Sequence, residues 1–294
     1  MTTFIQHAAA FNPDLPVGSL VALEASLNAG QDWVEIDIIP LAGGDFALLH
    51  QPTLQDGTEG SGKVIEKSAD EIRNLRYLQA DGSPNDLHLG TLSQALVLLK
   101  SAGEEITLQL DLKPYAALTP QVLGGLYHMI ADQRQQILIS CVADWALRIL
   151  HQLDGYLRLG FDPLLYLDIV ASEPREQGVP PLRCGAYGYL DDHPLAIERW
   201  GSLKDYFTMR AEALLRQAPP QSTWFINASL LDDAQQAGFD WIKFLQSHGC
   251  QVDAWTLDVD RWQVAQRLQS QGIDLITSNQ PGQLSQLLKN IKKI

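Results

Sequence analysis

Trp33-Val34-Glu35-Ile36-Asp37-Ile38 places two acids at i and i+2 in an otherwise apolar run. Strand side chains alternate between faces, so Glu35 and Asp37 share one face while Val34, Ile36 and Ile38 share the other. Two carboxylates held side by side on a buried face repel each other and lose hydration. A hard divalent cation with oxygen ligands relieves both penalties. Taken alone, the run reads equally as a strand whose polar face meets water. The next residues shift that balance. Leu41-Ala42-Gly43-Gly44-Asp45 is a tight-turn signal, and the 12 residues between Asp37 and His50 are too few for a parallel crossover through a helix. The spacing predicts a hairpin with Gly43-Gly44 as a two-residue turn. Ala42 then faces Asp45 and Asp37 faces His50, which brings an imidazole beside the carboxylates.

Outward from this run, short β-type stretches recur at 4–6, 46–49, 106–110, 137–140, 157–161, 224–227, 252–256 and 275–277. Most are separated by amphipathic stretches of helical length, at 19–29, 92–102, 120–133, 144–153, 240–248, 261–271 and 283–292. Such alternation predicts an α/β fold, either a TIM-type (β/α)8 barrel or a doubly wound sheet. In the barrel reading a β-hairpin follows strand 2 and a long insertion comes late. No linker or solenoid repeat divides the chain, so 1–294 reads as a single barrel domain. Two segments interrupt the alternation. Residues 51–91 are turn-rich, with Asp56-Gly57, Gly60-Ser61-Gly62 and Asp81-Gly82-Ser83-Pro84, and are expected to form a loop over the barrel. Residues 171–223, Pro- and aromatic-rich at first and helical around 203–217, are expected to be a lid, a partner surface or a tolerated embellishment.

Composition excludes several classes. With 46% hydrophobic and 19% charged residues the chain can bury a sizeable core, which rules out disorder as its main state. The 21 Lys+Arg against 35 Asp+Glu leave a formal charge of −14, a field that repels phosphate backbones and anionic lipid headgroups. Neither nucleic-acid binding nor stable membrane association is expected. No run approaches the roughly 18–20 apolar residues of a membrane span, and the Met1-Thr-Thr-Phe-Ile-Gln-His start lacks the regions of a signal peptide. A cytoplasmic location is the expectation. Cys141, Cys184 and Cys250 are odd in number and widely spaced, which reads as three reduced thiols. Gly57-Thr-Glu-Gly-Ser-Gly-Lys63 fits the first seven positions of a phosphate-binding P-loop. Val64, however, stands where a Ser or Thr hydroxyl must reach Mg²⁺, and no buried strand leads in, so a surface loop is the better reading.

A second acidic strand supports a shared site. In Thr107-Leu-Gln-Leu-Asp111-Leu-Lys113-Pro114, Asp111 and Lys113 share a face at the strand's C-terminal end, and Pro114 marks the exit. Parallel α/β folds carry their active sites at those ends, so a third ligand acid and a cation for phosphate are expected there. The plainer role for Lys113 is an ion pair with Asp111 or Glu35. His7 ends the first strand at the same height, where the three acids, Lys113 and His50 converge.

With these residues in order, the chain resembles the glycerophosphodiester phosphodiesterases of the phospholipase C-like barrel superfamily. The similarity runs through strand-end His7, Val34-Glu35-Ile36-Asp37-Ile38, Leu48-Leu49-His50 and the following loop to Val64. It continues through Leu89-Gly-Thr-Leu92, Leu110-Asp111-Leu-Lys113, Ala254-Trp255-Thr256 and Gly272-Ile-Asp-Leu-Ile-Thr-Ser-Asn-Gln-Pro281. It covers nearly everything except about 171–223. The departures are specific. The family's His-Arg-Gly is His7-Ala8-Ala9, so the arginine that helps hold the phosphate is absent. The Glu-Asn-Thr that follows is missing near Pro16-Val17-Gly18-Ser19, His-Asp is His50-Gln51, and Glu-x-Lys is Asp111-Leu112-Lys113. Glutamate without its arginine would be a costly unpaired charge, so the first two losses read as one event.

The resemblance implies a metal-dependent phosphodiester hydrolase. Glu35, Asp37 and Asp111 would hold one Mg²⁺ or Ca²⁺, and His7 and His50 would act as acid and base in either order. Lys113 would stabilise phosphoryl oxygens, and Trp255 would wall the glycerol or head group. The expected partner is a small phosphodiester, attacked by water or by its own adjacent hydroxyl through a cyclic phosphate. Two other readings stand beside it. One is a barrel of little or no activity that binds a phosphorylated ligand or partner. The other is a phosphodiesterase for a lysophospholipid-type diester, which exposed rings at Tyr187, Tyr189, Trp200, Tyr206 and Phe207 would favour. His88, His128, His151, His193 and His248 lack matched partners and receive no role.

Overall fold

The computed structural model describes residues 2–79, 81–167 and 202–291. Eleven strands follow in chain order: β1 (Thr3–Gln6), β2 (Trp33–Pro40), β3 (Phe46–Ala47), β4 (Arg76–Leu78), β5 (Pro84–His88), β6 (Thr107–Leu112), β7 (Ile137–Cys141), β8 (Arg158–Phe161), β9 (Thr223–Asn227), β10 (Gln251–Trp255) and β11 (Leu275–Ser278). Eight of them, β1, β2 and β6 to β11, pair in parallel, and β1 pairs with both β11 and β2, which closes the barrel. The alternating strands and helices therefore give the TIM-type barrel rather than the open doubly wound sheet. Helices α1 (Leu20–Asn28), α3 (Leu92–Ser101), α4 (Pro120–Ile130), α5 (Asp144–Leu153), α6 (Leu203–Leu215), α7 (Ala228–Gln236), α8 (Trp241–Gln246), α9 (Trp262–Ser270) and α10 (Pro281–Ile291) follow or flank the barrel strands, and the short α2 (Ala69–Asn74) lies in the 51–91 segment. Among the described residues no helix is long and apolar enough to cross a membrane.

The strand alternation read in β2 sorts its side chains. Val34, Ile36 and Ile38 join the main core with residues of α1, α3 and α4. Inside the barrel a separate cluster of Ile5, Trp33, Leu138, Phe225 and Leu275 fills the interior, and Trp255 packs against it. Gly160 of β8 is part of that packing. A Cβ there would come within 2.4 Å of the Phe225 ring, so only glycine lets β8 pass this side chain. At the N-terminal end of the strands, Arg158 stacks 5.2 Å above the Trp33 ring and donates to Thr107 Oγ1 at 3.0 Å, closing the barrel floor.

The hairpin after β2 is present, but its register differs from expectation. Ile39 pairs with Ala47 and Pro40 with Phe46, and Leu41 N–H donates to Asp45 O at 2.9 Å, so the turn holds three residues rather than two. Gly43 and Gly44 lie at φ 102° and 94°, a region closed to most side chains. The cause is long-range. Ala42 N–H donates to Lys67 O at 2.9 Å, which draws Ala42 out of the ladder. The ladder ends at Ala47, and Leu48 N–H turns instead to Gly90 O at 3.0 Å. His50 therefore reaches the site from the loop beyond β3, not from a paired strand.

Residues 51–91 fold more than a loop would. β4 and β5 form an antiparallel ribbon, Ser68 and Glu71 cap α2 reciprocally, and Leu54, Val64, Ile72, Tyr77 and Leu89 build a small core against Ile39, Leu41 and Ala47. Val64 is thus a core residue, which accounts for the missing hydroxyl in the P-loop-like run. In α6, Tyr206 and Phe207 are buried, and Phe207 stacks on Phe239. These two rings belong to a local core; Tyr187, Tyr189, Trp200, Cys184 and His193 lie outside the described residues. Cys141 and Cys250 are free, buried thiols.

Candidate active site

The register between β2 and β6 sets Asp37 level with Asp111 and Glu35 level with Gln109. One carboxylate oxygen from each of Glu35, Asp37 and Asp111 lies within 4.8 Å of the other two. Lys113 Nζ sits 2.8 Å from Asp37 Oδ1 and 2.6 Å from Asp111 Oδ2. The remaining Asp111 oxygen accepts from Ser140 Oγ at 2.7 Å, and Gln109 Nε2 donates to that hydroxyl at 3.0 Å. Among the described residues no lysine is in ion-pair contact with Glu35. Its Oε2 accepts from Ala8 N–H at 2.7 Å and lies 3.9 Å from His7 Nε2.

Charge follows from these contacts. Burial, and then the Asp37 charge, push the Glu35 carboxyl up to about 8, against a smaller pull from His7. Burial also opposes the Asp111 charge, but Lys113, Ser140 and His50 outweigh it and hold that carboxyl below its ordinary value. Desolvation opposes the Lys113 charge in turn, and Asp111 and Asp37 overcome it, keeping the ammonium well above the usual lysine value. For His7 burial is again the largest opposing effect, and Glu35, Asn279 and Asp37 together raise it. One cation thus serves two of three crowded carboxylates, and the third stays protonated into neutral pH.

The turn after β1 explains how Ala8 reaches Glu35. Ala8 and Ala9 both take left-handed conformations, at φ 47° and 48°, and Gly18 N–H donates to Ala8 O at 2.7 Å. His50 is exposed and close enough to Asp111 to favour its ionised form. Trp255 ends β10, half-buried on the interior cluster. The structure therefore brings His7, Glu35, Asp37, Asp111 and Lys113 together, sets His50 in electrostatic reach, and puts Trp255 at the C-terminal end of its strand.

No family model matches the chain. Glycerophosphodiester phosphodiesterase 1 of Mus musculus is 26% identical over 117 residues, which are 39% of this chain and 35% of the mouse protein, so the match spans about a third of that relative. The glycerophosphodiester phosphodiesterase of Bacillus altitudinis is 21% identical over 174 residues, 58% of this chain and 69% of its own. A phosphodiesterase of Oleispira antarctica, solved in complex with the product sn-glycerol-3-phosphate, superposes with a TM-score of 0.68 at 18% identity, covering 98% of this chain and 97% of its own. The chain is thus similar, at low identity, to glycerophosphodiester phosphodiesterases and shares the barrel fold of the solved ones. A glycerophosphodiester phosphodiesterase of Parabacteroides distasonis shares the fold to the same TM-score, 0.68, at 16% identity over 99% of this chain and 98% of its own.

The second half of the barrel mouth holds polar groups that the sequence reading passed over. Asp162, just beyond β8, is pushed up to about 8 by burial, and Asp253, inside β10, to about 7 by burial. Asp253 Oδ2 accepts from Thr277 Oγ1 at 3.0 Å, and among the described residues Oδ1 has no hydrogen-bond partner. Asn279 Oδ1 lies 2.8 Å from His7 Nδ1, and Asp258 binds Asn279 from behind. Asp253 carries a readable signal, an acid within an apolar strand, although no second acid stands two residues away. Asp258 and Asn279 carry none, being loop residues 21 positions apart.

Proposed function

We propose that the protein is a divalent-metal-dependent phosphodiesterase that cleaves a glycerophosphodiester or related small phosphodiester to an alcohol and a phosphomonoester. The carrying observation is the convergence of Glu35, Asp37, Asp111 and Lys113 at the C-terminal mouth of the barrel, beside His7. The donors suit Mg²⁺ or Ca²⁺. They are three hard carboxylates within 4.8 Å, and burial, then the charge of Asp37, push the Glu35 carboxyl up to about 8, a penalty that a bound cation would relieve. Bound by Glu35, Asp37 and Asp111, such an ion would neutralise phosphate charge and acidify a bound hydroxyl.

The chain's own groups do the rest. Nε2 of His7 faces the carboxylates, where it can exchange a proton with the attacking or departing oxygen. His50, exposed at the rim near Asp111, supplies the opposite transfer. Lys113 is held charged, so its ammonium can stabilise phosphoryl oxygens. Trp255 offers an apolar face to the alcohol. The nucleophile is water or the substrate's neighbouring hydroxyl. The −14 charge supports a small diester rather than a nucleic acid or an anionic bilayer as the partner.

The test is hydrolysis of several glycerophosphodiesters by folded protein, with and without a chelator. Turnover that the chelator abolishes and Mg²⁺ or Ca²⁺ restores is the expected result; no metal-dependent turnover on any of them overturns the reading. A second reading, a phosphoryl-binding barrel without turnover, is favoured by Ala8 and Gln51, which stand where the family carries an arginine and an aspartate. It predicts glycerol phosphate binding and no hydrolysis.

A further inference from the structure

Behind His7 lies a chain of hydrogen bonds whose direction can be read without ambiguity. Asp258 lies in the loop after β10, and three donors converge on its carboxylate. Ser278 Oγ and Asn279 N–H reach Oδ1 at 2.9 and 2.8 Å, and Asn279 Nδ2 reaches Oδ2 at 2.8 Å. Burial opposes its charge, but the Asn279 and Ser278 hydrogen bonds hold the Asp258 carboxyl below its ordinary value, so it only accepts. The amide group of Asn279 must therefore turn its nitrogen toward Asp258 and its oxygen toward His7. That oxygen is 2.8 Å from His7 Nδ1, and a carbonyl oxygen also only accepts. Nδ1 must carry a hydrogen in both the neutral and the charged ring. Gln6 Nε2 fixes the same corner by donating to Asn279 O at 3.1 Å.

We infer that Asp258 is a positioning residue which, acting through Asn279, holds the proton on Nδ1 of His7 and so leaves Nε2 as the nitrogen that exchanges protons with substrate. The inference deepens the phosphodiesterase reading and rests on it for its kinetic consequence. The tautomer itself needs no substrate. An amide inserted between carboxylate and ring transmits orientation while keeping the full negative charge one group away from the imidazole. A neutral ring free to place its proton on Nε2 would present a donor at the atom that must accept one in the cycle, and part of the enzyme would be idle at any moment.

The experiment is long-range ¹H–¹⁵N spectroscopy of the neutral His7 ring in the full chain, assigned by loss of its signals in His7→Gln. The wild type is expected to show the Nδ1–H pattern. In Asp258→Asn the residue at 258 can itself donate, the Asn279 amide can rotate, and the ring should become a mixture of tautomers. On a hydrolysed diester the same variant should lose about tenfold or more in kcat with KM within about twofold. Asn279→Ala should give a similar mixture, and the double variant should be no worse than Asn279→Ala alone, because Asp258 acts through that amide. Each variant's thermal unfolding checks that it folds. An unchanged Nδ1–H pattern in Asp258→Asn, or fully additive losses in the double variant, overturns the inference. A tautomer shift in a protein that hydrolyses no diester sinks the phosphodiesterase reading and leaves the positioning role standing.

Discussion

The two halves of the barrel mouth hold similar numbers of acids and treat them differently. On the β1, β2 and β6 side, Glu35, Asp37 and Asp111 crowd within reach of one another, and Lys113 contacts two of them. On the β8 and β10 side, Asp253 is buried and Asp162 half-buried, neither has a cation in contact among the described residues, and each is raised toward neutral pH. A carboxyl pointing into a barrel is thus not by itself a charged site. Contact with a cation decides: Lys113 holds Asp111 below its ordinary value, while desolvated carboxyls without a lysine in contact, Glu35 inside the cluster as much as Asp162 and Asp253 beyond it, favour the protonated acid.

The largest effects that could break this contrast are catalytic. His7→Ala and His50→Ala should each lower kcat by about 10²- to 10⁴-fold on a glycerophosphodiester. Asp162→Asn, at the mouth's other side, should stay within a few-fold. Equal losses from both halves, read from steady-state kinetics, would mean that the site is wider than the β1–β6 side. Lys113→Met comes next. It should cost about 10²- to 10³-fold in kcat. It also removes the cation that offsets Asp37 and Asp111, so the metal-free variant should melt below wild type and recover more than wild type does when Mg²⁺ or Ca²⁺ is added. Thermal unfolding with and without the ion checks this.

Asp253 gives a smaller, pH-dependent effect. Its carboxyl ordinarily ionises near 4 but in the fold near 7, so between those values the unfolded chain has lost a proton that the folded chain keeps. The folded state binds more protons, and its stability falls as pH rises through that window. Asp253→Asn removes the titration. The variant should gain on wild type progressively between about pH 4 and 7, with the advantage retained above. Denaturant titrations at pH 4, 6 and 8 that show a constant difference would refute the assignment of an unpaired, neutral Asp253.

The same contrast explains what could be read from the sequence. Glu35 and Asp37 announce themselves because alternation is local, and two acids at i, i+2 in an apolar run need no knowledge of the fold. Asp111 and Lys113 repeat that signal one strand over. The hairpin register is off by one residue because its cause, the bond from Ala42 N–H to Lys67 O, comes from a segment that looks like loop in the sequence. Asp258 and Asn279 meet only after β10 and β11 pair in the barrel, so no local pattern links them. Asp162 and Asp253 are visible as acids, but whether they are charged depends on burial and neighbours supplied by distant strands.

The smallest expected effect concerns the turn that delivers Ala8 N–H to Glu35, where Ala9 stands in place of the glycine of the family pattern. Ala9 is fully buried at φ 48°, so Ala9→Gly sets opposing changes against one another. Relief of the left-handed backbone gains about 1–2 kcal/mol. Loss of a buried methyl costs about 0.8 kcal/mol, and the extra freedom of an unfolded glycine costs about 0.4–1 kcal/mol. The sum is close to zero, which is why the chain can carry alanine here without losing the turn. Chemical denaturation of Ala9→Gly should therefore fall within about 1 kcal/mol of wild type. A gain well above that would show the alanine turn to be strained, with the charged half of the mouth held in shape at a cost that the neutral half does not bear. A loss of similar size would show that the Ala9 methyl is a packing element that the glycine of the family pattern lacks.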